Sequence, residues 1–119
     1  MKFERDAVDR LAGIGARLVR VEPGEVELDL PFRDDLTQQH GFLHAGIVTA
    51  LVDSACGYAA LSLMDAAAAV LSVEYKVNLL APAKGDRMRA IGRVVKPGRT
   101  LLICTVRCWR LPPARPWSR

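Results

Sequence analysis

The amino-acid sequence predicts an α+β fold, one antiparallel β-sheet with a single long α-helix laid across it. Two runs of alternating apolar and polar residues, 16–22 and 25–32, meet at Pro23-Gly24. A run of small and apolar residues from about His44 or Ala45 to about Leu63 contains one charge, Asp53. Three more strand-like runs follow, separated by turns containing proline and glycine. The order β-β-α-β-β-β segregates the helix to one side of an antiparallel sheet. At 119 residues the chain is one domain by length, and any large apolar face left over by so small a core is expected to be covered by another copy.

Residues 3–13 place Phe3, Val8 and Leu11 at loosely helical spacing with Ile14, and Gly13 or Gly15 would end such a helix. In the hairpin that follows, Val26, Leu28 and Leu30 alternate with Glu25, Glu27 and Asp29, so one face is apolar and the other charged. Residues 31–43 are polar and turn-rich. The long helix has two unlike faces: Gly46, Thr49, Ala50, Asp53, Gly57 and Ala60 form a stripe of very small side chains about the carboxylate, and Ile47, Leu51, Tyr58 and Leu61 form a bulkier one. The bulky face is expected on the sheet, and the small face admits another backbone at close range. After a connection over 64–69, strands are expected at about 70–79, 86–96 and 100–109, with turns at 81–85 and 96–99. Neither periodicity continues beyond Trp109. Residues 107–119 hold both tryptophans, three prolines and four arginines, and form an atypical tail to a domain spanning 1–106.

Residues 1–106 carry thirteen basic and thirteen acidic side chains, so the net charge of +4 comes from Arg107, Arg110, Arg115 and Arg119. The body is neutral but divided: 1–65 holds six basic and eleven acidic residues, 66–106 seven and two. A basic half on a neutral body suits a small polyanionic ligand better than DNA, and no basic run is interleaved with stacking aromatics, so no nucleic-acid partner is expected. Cys56, Cys104 and Cys108 lack CxxC spacing and read as buried or free thiols of a reducing compartment. The first ten residues alternate charges and contain no apolar core of a signal peptide, which makes the expected location cytoplasmic. The stretch 41–64 is long enough to span a membrane, but Asp53 at its centre and its Gly, Ser, Thr and Ala content favour a core helix, and no membrane partner is expected.

An ionised Asp inside a packed apolar helix is costly unless paired, hydrogen-bonded or wet. Asp53 lies about nine residues into the helix, so at 1.5 Å per residue it is about 12 Å along the axis from that helix's own first amides. It cannot act on a group held there. If two helices pack antiparallel through the small stripe, Asp53 of one copy approaches the N-terminal amides of the other, where free N–H groups and the positive dipole end stabilise an oxyanion. His40 and His44 have the i, i+4 spacing of zinc ligands with Asp53 as a third candidate. However, Gly41 precedes any helix and no Cys or second acid stands near, so no metal is expected.

Gln38, Leu43-His44-Ala45-Gly46, Leu51-Val52-Asp53-Ser54-Ala55, Ser72-Val73-Glu74-Tyr75-Lys76-Val77-Asn78, Pro82-Ala83, Gly85-Asp86 and Gly98-Arg99-Thr100 together give residues 15–106 a specific pattern. It resembles the hotdog-fold acyl-CoA thioesterases, in the branch containing the phenylacetyl-CoA and 4-hydroxybenzoyl-CoA thioesterase-like enzymes. The resemblance implies a hotdog fold, an antiparallel sheet wrapped around the long helix, and hydrolysis of a fatty or aryl acyl-CoA to free acid and CoA. It implies Asp53 as nucleophile or general base, the Ala45 amide with Gly46 as the group that polarises the thioester carbonyl, and Gln38 as the residue that orients substrate or water. His44 matches the motif histidine that positions the thioester, Ser72 a position that places the attacking water, and Gly98, Arg99 and Thr100 the region that holds the CoA phosphates.

The resemblance implies no cofactor, CoA being part of the substrate, and a homo-oligomer, either a dimer or a dimer of dimers. Two departures stand out: Ala45 occupies the middle of a His-Gly-Gly motif, where a positive φ would be restrictive, and the family's last strand is missing or altered in the tail. They support a second reading, a non-catalytic hotdog module for acyl-CoA binding or assembly. A dehydratase fits less well, because His40 and His44 do not reproduce the loop context of its catalytic histidine. A structural cap on a neighbouring helix is the plain alternative for Asp53, and an ordinary strand position the alternative for Ser72. Arg87, Arg89 and Arg93 share a strand face and are expected to form a solvated edge.

Overall fold

The computed structural model describes residues 11–84 and 87–111. Among them four strands, β1 (Arg17–Glu22), β2 (Glu25–Leu30), β3 (Arg87–Lys96) and β4 (Ile103–Leu111), form one antiparallel sheet in the order β1-β2-β3-β4. A single long helix, α1 (Ala45–Leu61), lies on one face, and 3-10 turns occupy Ala12–Ile14 and Asp34–Leu36. The α+β expectation holds. No helix among the described residues is long and apolar enough to cross a membrane. Most of the helix expected over 3–13, the Gly85-Asp86 pair and the tail from 112 onward lie outside the described residues.

The first hairpin follows its alternation. Val26, Leu28 and Leu30 are fully buried with Leu51 of α1, while Glu25, Glu27 and Asp29 project from the other face. Gly24 makes the turn at φ +79°, a conformation that side chains rarely adopt. Its N–H donates to Ser62 Oγ at 2.7 Å and its carbonyl accepts from Val94 N–H at 2.8 Å, which ties the hairpin to the end of α1 and to β3.

On the charged face, β3 turns out to be internal. Arg87, Arg89 and Arg93 were expected on a solvated edge, but β3 lies between β2 and β4 and its arginines meet the acids of β2. Arg87 reaches Asp29 at 3.0 Å and Arg89 at 3.7 Å, and Arg93 reaches Glu25 at 2.6 Å. Hydrogen bonds from Arg20 and then Arg93 hold the Glu25 carboxyl below the usual carboxylate range. A strand's own alternation shows which residues share a face, not how many strands lie on either side.

The helix packs on the sheet through small residues as well as large ones. Leu51, Val52, Ala55, Ala59 and Ala60 are buried, so Ala60 belongs to the core side and not to the open stripe expected for it. Ile47, Tyr58 and Leu61 of the bulkier face are only partly buried. A Cβ at Gly92 of β3 would stand 2.4 Å from the carbonyl carbon and oxygen of Ala55 and 2.7 Å from the Cys56 nitrogen. Glycine at 92 therefore lets the helix rest directly on the strand. On the opposite side, Ala45, Gly46 and Ala50 are exposed and Thr49, Asp53 and Gly57 are half-exposed.

The strand expected over 70–79 is not a strand. These residues belong to no ladder, and Leu71, Val73, Tyr75, Leu79 and Leu80 stand exposed, Leu71 at 87% and Leu80 at 93%. The alternation is real, with apolar 71, 73, 75, 77 and 79 on one side, but a strand also needs a neighbouring backbone and none of the described residues supplies one. At the other end, β4 begins at Ile103 and continues to Leu111, whose Cα partner is Arg87. Residues 107–111 are thus part of the sheet, past the boundary at 106 and the loss of periodicity at Trp109.

Replacing Gly92 with Ala should lower stability by about 1–3 kcal/mol, the usual cost of overpacking. Gly13→Ala, where nothing lies within 4 Å of an added Cβ, should change it little. Urea denaturation followed by far-UV circular dichroism compares the two.

Candidate functional site

The chain reaches the helix through a loop clamped on both sides. Leu43 N–H donates to Ala83 O at 2.8 Å and His44 N–H to Leu36 O at 2.9 Å. Within the loop, Gln38 N–H donates to Phe42 O and Gly41, at φ +86°, donates back to Gln38 O. The Gln38 side chain is engaged there too: its Oε1 accepts from His40 N–H at 2.5 Å and from Phe42 N–H at 3.4 Å. Lys84 adds a cation–π contact, with Nζ 5.4 Å from the Phe42 ring centre. Sequence reasoning passed over both Lys84 and the loop-holding role of Gln38, since neither contact leaves a periodic signal.

His44 caps α1. At φ −60°, ψ 134° it is extended, and its Nδ1 accepts from Gly46 N–H at 3.0 Å, which puts the ring proton on Nε2. Its carbonyl starts the helix by accepting from Ile47 and Val48. The cap therefore consumes the Gly46 amide. The Ala45 amide, one of the orphan donors that every helix start presents, has no acceptor among the described residues. No described non-glycine residue has a positive φ, so alanine at this motif position is unstrained.

Asp53 sits on the open side of α1, half-buried, and its Oδ1 accepts from Ser72 Oγ at 2.5 Å. Ser72 belongs to the extended segment that follows the helix, which makes the side chain of Asp53 its anchor. Two groups of the expected residues thus assemble: Gln38, His44, Ala45 and Gly46 at the helix start, and Asp53 with Ser72 along its length. Ala45 and Asp53 themselves lie on one helix, about 12 Å apart by its rise. Gly98, Arg99 and Thr100 occupy the exposed connection between β3 and β4 and form no described hydrogen bond or ion pair with either group.

Beneath the helix, Cys104 Sγ donates to Cys56 O at 3.7 Å. Burial first, then the neighbouring Cys104 and Asp53, pushes the Cys56 thiol up to about 12. Burial alone raises Cys104 and takes Cys108 to about 11. In all three the raised pKa disfavours the thiolate, the nucleophilic form of the side chain. Among the described residues no three His, Cys, Asp or Glu side chains converge as metal ligands.

The thioesterase superfamily matches residues 40–116. Among solved structures, a thioesterase family protein from Silicibacter pomeroyi is similar at 54% identity and a TM-score of 0.86, over 91% of this chain and 82% of that one. Thioesterase superfamily member 2 of zebra fish is similar at 25% identity and a TM-score of 0.78, over 92% and 83%. Acyl-coenzyme A thioesterase 13 of Homo sapiens is 32% identical over 90 residues, covering 75% of this chain and 64% of its own. This chain spans 61–66% of the length of the curated relatives it matches from Saccharolobus solfataricus and Halobacterium salinarum.

Raised thiol pKa values keep Cys56 and Cys108 neutral until the pH approaches 11–12. Iodoacetamide at pH 8 should therefore label both far more slowly in the folded protein than in urea, as read by mass spectrometry of the alkylated peptides.

Proposed function

Because this chain belongs to the thioesterase superfamily, and one helix carries both a carboxylate and an unengaged N-terminal amide, we propose that it hydrolyses the thioester bond of acyl-CoA in a site shared between two copies. The free Ala45 amide is the observation that carries the reading. The fold is the α+β hotdog, and its open helix stripe is lined by side chains small enough for a second helix to approach. In an antiparallel pair, Asp53 of one copy comes beside the Ala45 amide of the other.

The thioester oxygen takes its hydrogen bond from Ala45 N–H, at the positive end of the helix dipole, where the charge of a tetrahedral intermediate develops. Gly46 N–H is spent on the cap, so His44 acts by shaping the helix start and aiming the Ala45 amide. Ser72 donates to Oδ1 of Asp53 and leaves Oδ2 to accept a proton from water. The activated water attacks the carbonyl carbon, the carbon–sulfur bond breaks, and the departing thiolate leaves as CoA once protonated. Direct attack by Asp53 would use the same oxygen. Gln38 holds the loop that carries His44, and the exposed Gly98-Arg99-Thr100 turn offers a cation and backbone amides to the CoA phosphates. The name of the human relative supplies acyl-CoA as the substrate class; fatty and aryl chains are equally compatible with the residues named. The exposed apolar side chains of 71–79 are the second surface that the partner copy covers, in a homodimer or a dimer of dimers. The hydrolytic unit extends through β4 to Leu111.

Asp53→Asn should lower thiol release from acyl-CoA esters by about 100-fold or more, the scale of losing a general base. Release indifferent to this change, or absent from a folded oligomer that still binds acyl-CoA, would leave a binding module instead.

Ala45→Pro removes the proposed donor alone. Proline is favoured at the first helical position, and the φ −60°, ψ 134° of His44 suits a residue before proline. Release should fall about 100- to 1000-fold with the circular dichroism spectrum unchanged. Mixing Asp53→Asn with Ala45→Pro subunits should restore activity, because each hybrid contains one Asp53 facing one intact amide. Failure to complement in hybrids of verified composition would place the whole site in one copy.

A further inference from the structure

On the sheet face turned away from α1, a groove of 280 Å³ is lined by Ile91 and Arg93 of β3 and by Thr105, Arg107 and Trp109 of β4. The cross-strand register places Ile91 opposite Arg107 and Arg89 opposite Trp109. The diagonal neighbours of Arg107 on β3 are therefore Arg89 and Arg93, so three guanidinium groups share one patch. Arg89 and Arg93 are compensated from β2, by Asp29 at 3.7 Å and Glu25 at 2.6 Å. The acid straight across from Arg107 is Glu27, two strands and about 9–10 Å away at ordinary strand spacing, with Glu25 and Asp29 further off along β2, and Arg107 has no ion pair or hydrogen bond among the described residues. Like charges this close repel, and an anion seated at Arg107 would offset that repulsion.

The rest of the groove adds shape to charge. The half-buried Trp109 and Ile91 contribute apolar surface to the lining, and Thr105 contributes a hydroxyl. Guanidinium forks bind carboxylate and phosphate oxygens in pairs, and indole stacks on flat rings. We propose that this groove binds a flat aromatic group carrying an anion, on the face of the sheet opposite the helix that bears Asp53. An aryl carboxylate and a nucleotide share that chemistry.

The test uses a Trp117→Phe protein, in which Trp109 is the remaining one of the two tryptophans, titrated separately with phenylacetate, adenosine monophosphate and inorganic phosphate. Saturable quenching of Trp109 emission by phenylacetate or by the nucleotide, with phosphate alone roughly tenfold weaker or more, supports the proposal, and the stronger of the two names the source. Arg107→Gln should weaken that binding roughly tenfold, as expected for a lost charge-assisted pair, while Asp53→Asn leaves it unchanged. Should Arg107→Gln fold poorly by circular dichroism, Trp109→Phe followed by calorimetry provides the second arm, with weakened binding again expected. Absence of saturation up to about 10 mM, equal response to bare phosphate, or binding indifferent to both substitutions would overturn it.

Discussion

Everything in this fold is positioned by the direct approach of α1 to β3 at Gly92, where a Cβ would overlap the Ala55 carbonyl. Helices normally rest on sheets through interlocking side chains. Here the contact is backbone on backbone for part of its length, which is why the helix has Ala55 and Ala59 beneath it, with larger residues at Leu51 and Val52 and, partly buried, at Ile47, Val48 and Tyr58. Both ends are then secured by different means, Ser62 to the Gly24 turn and the loop before His44 to Leu36 and Ala83. A helix held so tightly by one face has little rotational freedom, and the opposite face is fixed by default. That face presents Gly46, Ala50 and Asp53.

The helix start shows how local hydrogen-bond accounting decides chemistry. A helix begins with orphan amides that must find acceptors or water. His44 uses its Nδ1 to take Gly46 and thereby selects Ala45 as the amide left over. Had a serine or aspartate capped the helix, the usual acceptance from the second or third amide would have produced a similar division, but without the imidazole. Along the helix, Ser72 performs the complementary task by taking one oxygen of Asp53 and leaving the other unengaged. Among the described residues the Ala45 N–H is thus left without an acceptor and Oδ2 of Asp53 without a donor. Eight residues of α1 separate the Ala45 amide from the Asp53 carboxylate, about 12 Å by the helical rise.

Much of this was legible in the residues. Short hairpin strands with a Pro-Gly turn, and a helix starting beside His44, follow from period and turn chemistry, and they emerged within a few residues of expectation. The segment 70–79 shows the limit. Its alternation reports that one side is apolar, but ladder formation depends on a second backbone whose location no local pattern encodes. The arginines of β3 show the same limit from the other direction: their spacing put them on one face, yet whether that face was edge or interior depended on β4 lying beyond them. Asp53 and Ser72, nineteen residues apart, were assigned to one site only through the family resemblance, and the hydrogen bond between them comes from the fold. Gln38 was assigned to substrate, whereas its side-chain oxygen is occupied by its own loop, a commitment that composition and spacing do not reveal.

The division of charge along the chain, acidic before residue 65 and basic after it, acquires a physical meaning once the strands are ordered. β2 brings Glu25 and Asp29 and β3 brings Arg87, Arg89 and Arg93, so the two halves meet and cancel across one strand boundary. Cancellation stops there, because β4 has a basic strand for its neighbour and brings only more basic residues. Ion pairs on a partly exposed sheet contribute little individually, but their arrangement determines where charge is left over. That surplus falls at Arg107, the one described position of β4 whose diagonal neighbours on β3 are both arginines. A basic half suggested a polyanionic ligand when the chain was only a sequence. In the folded sheet the three arginines of β3 are matched by the acids of β2, and next to them on the outer face Arg107 stands in a groove it shares with Trp109, a narrower specification of what could bind there.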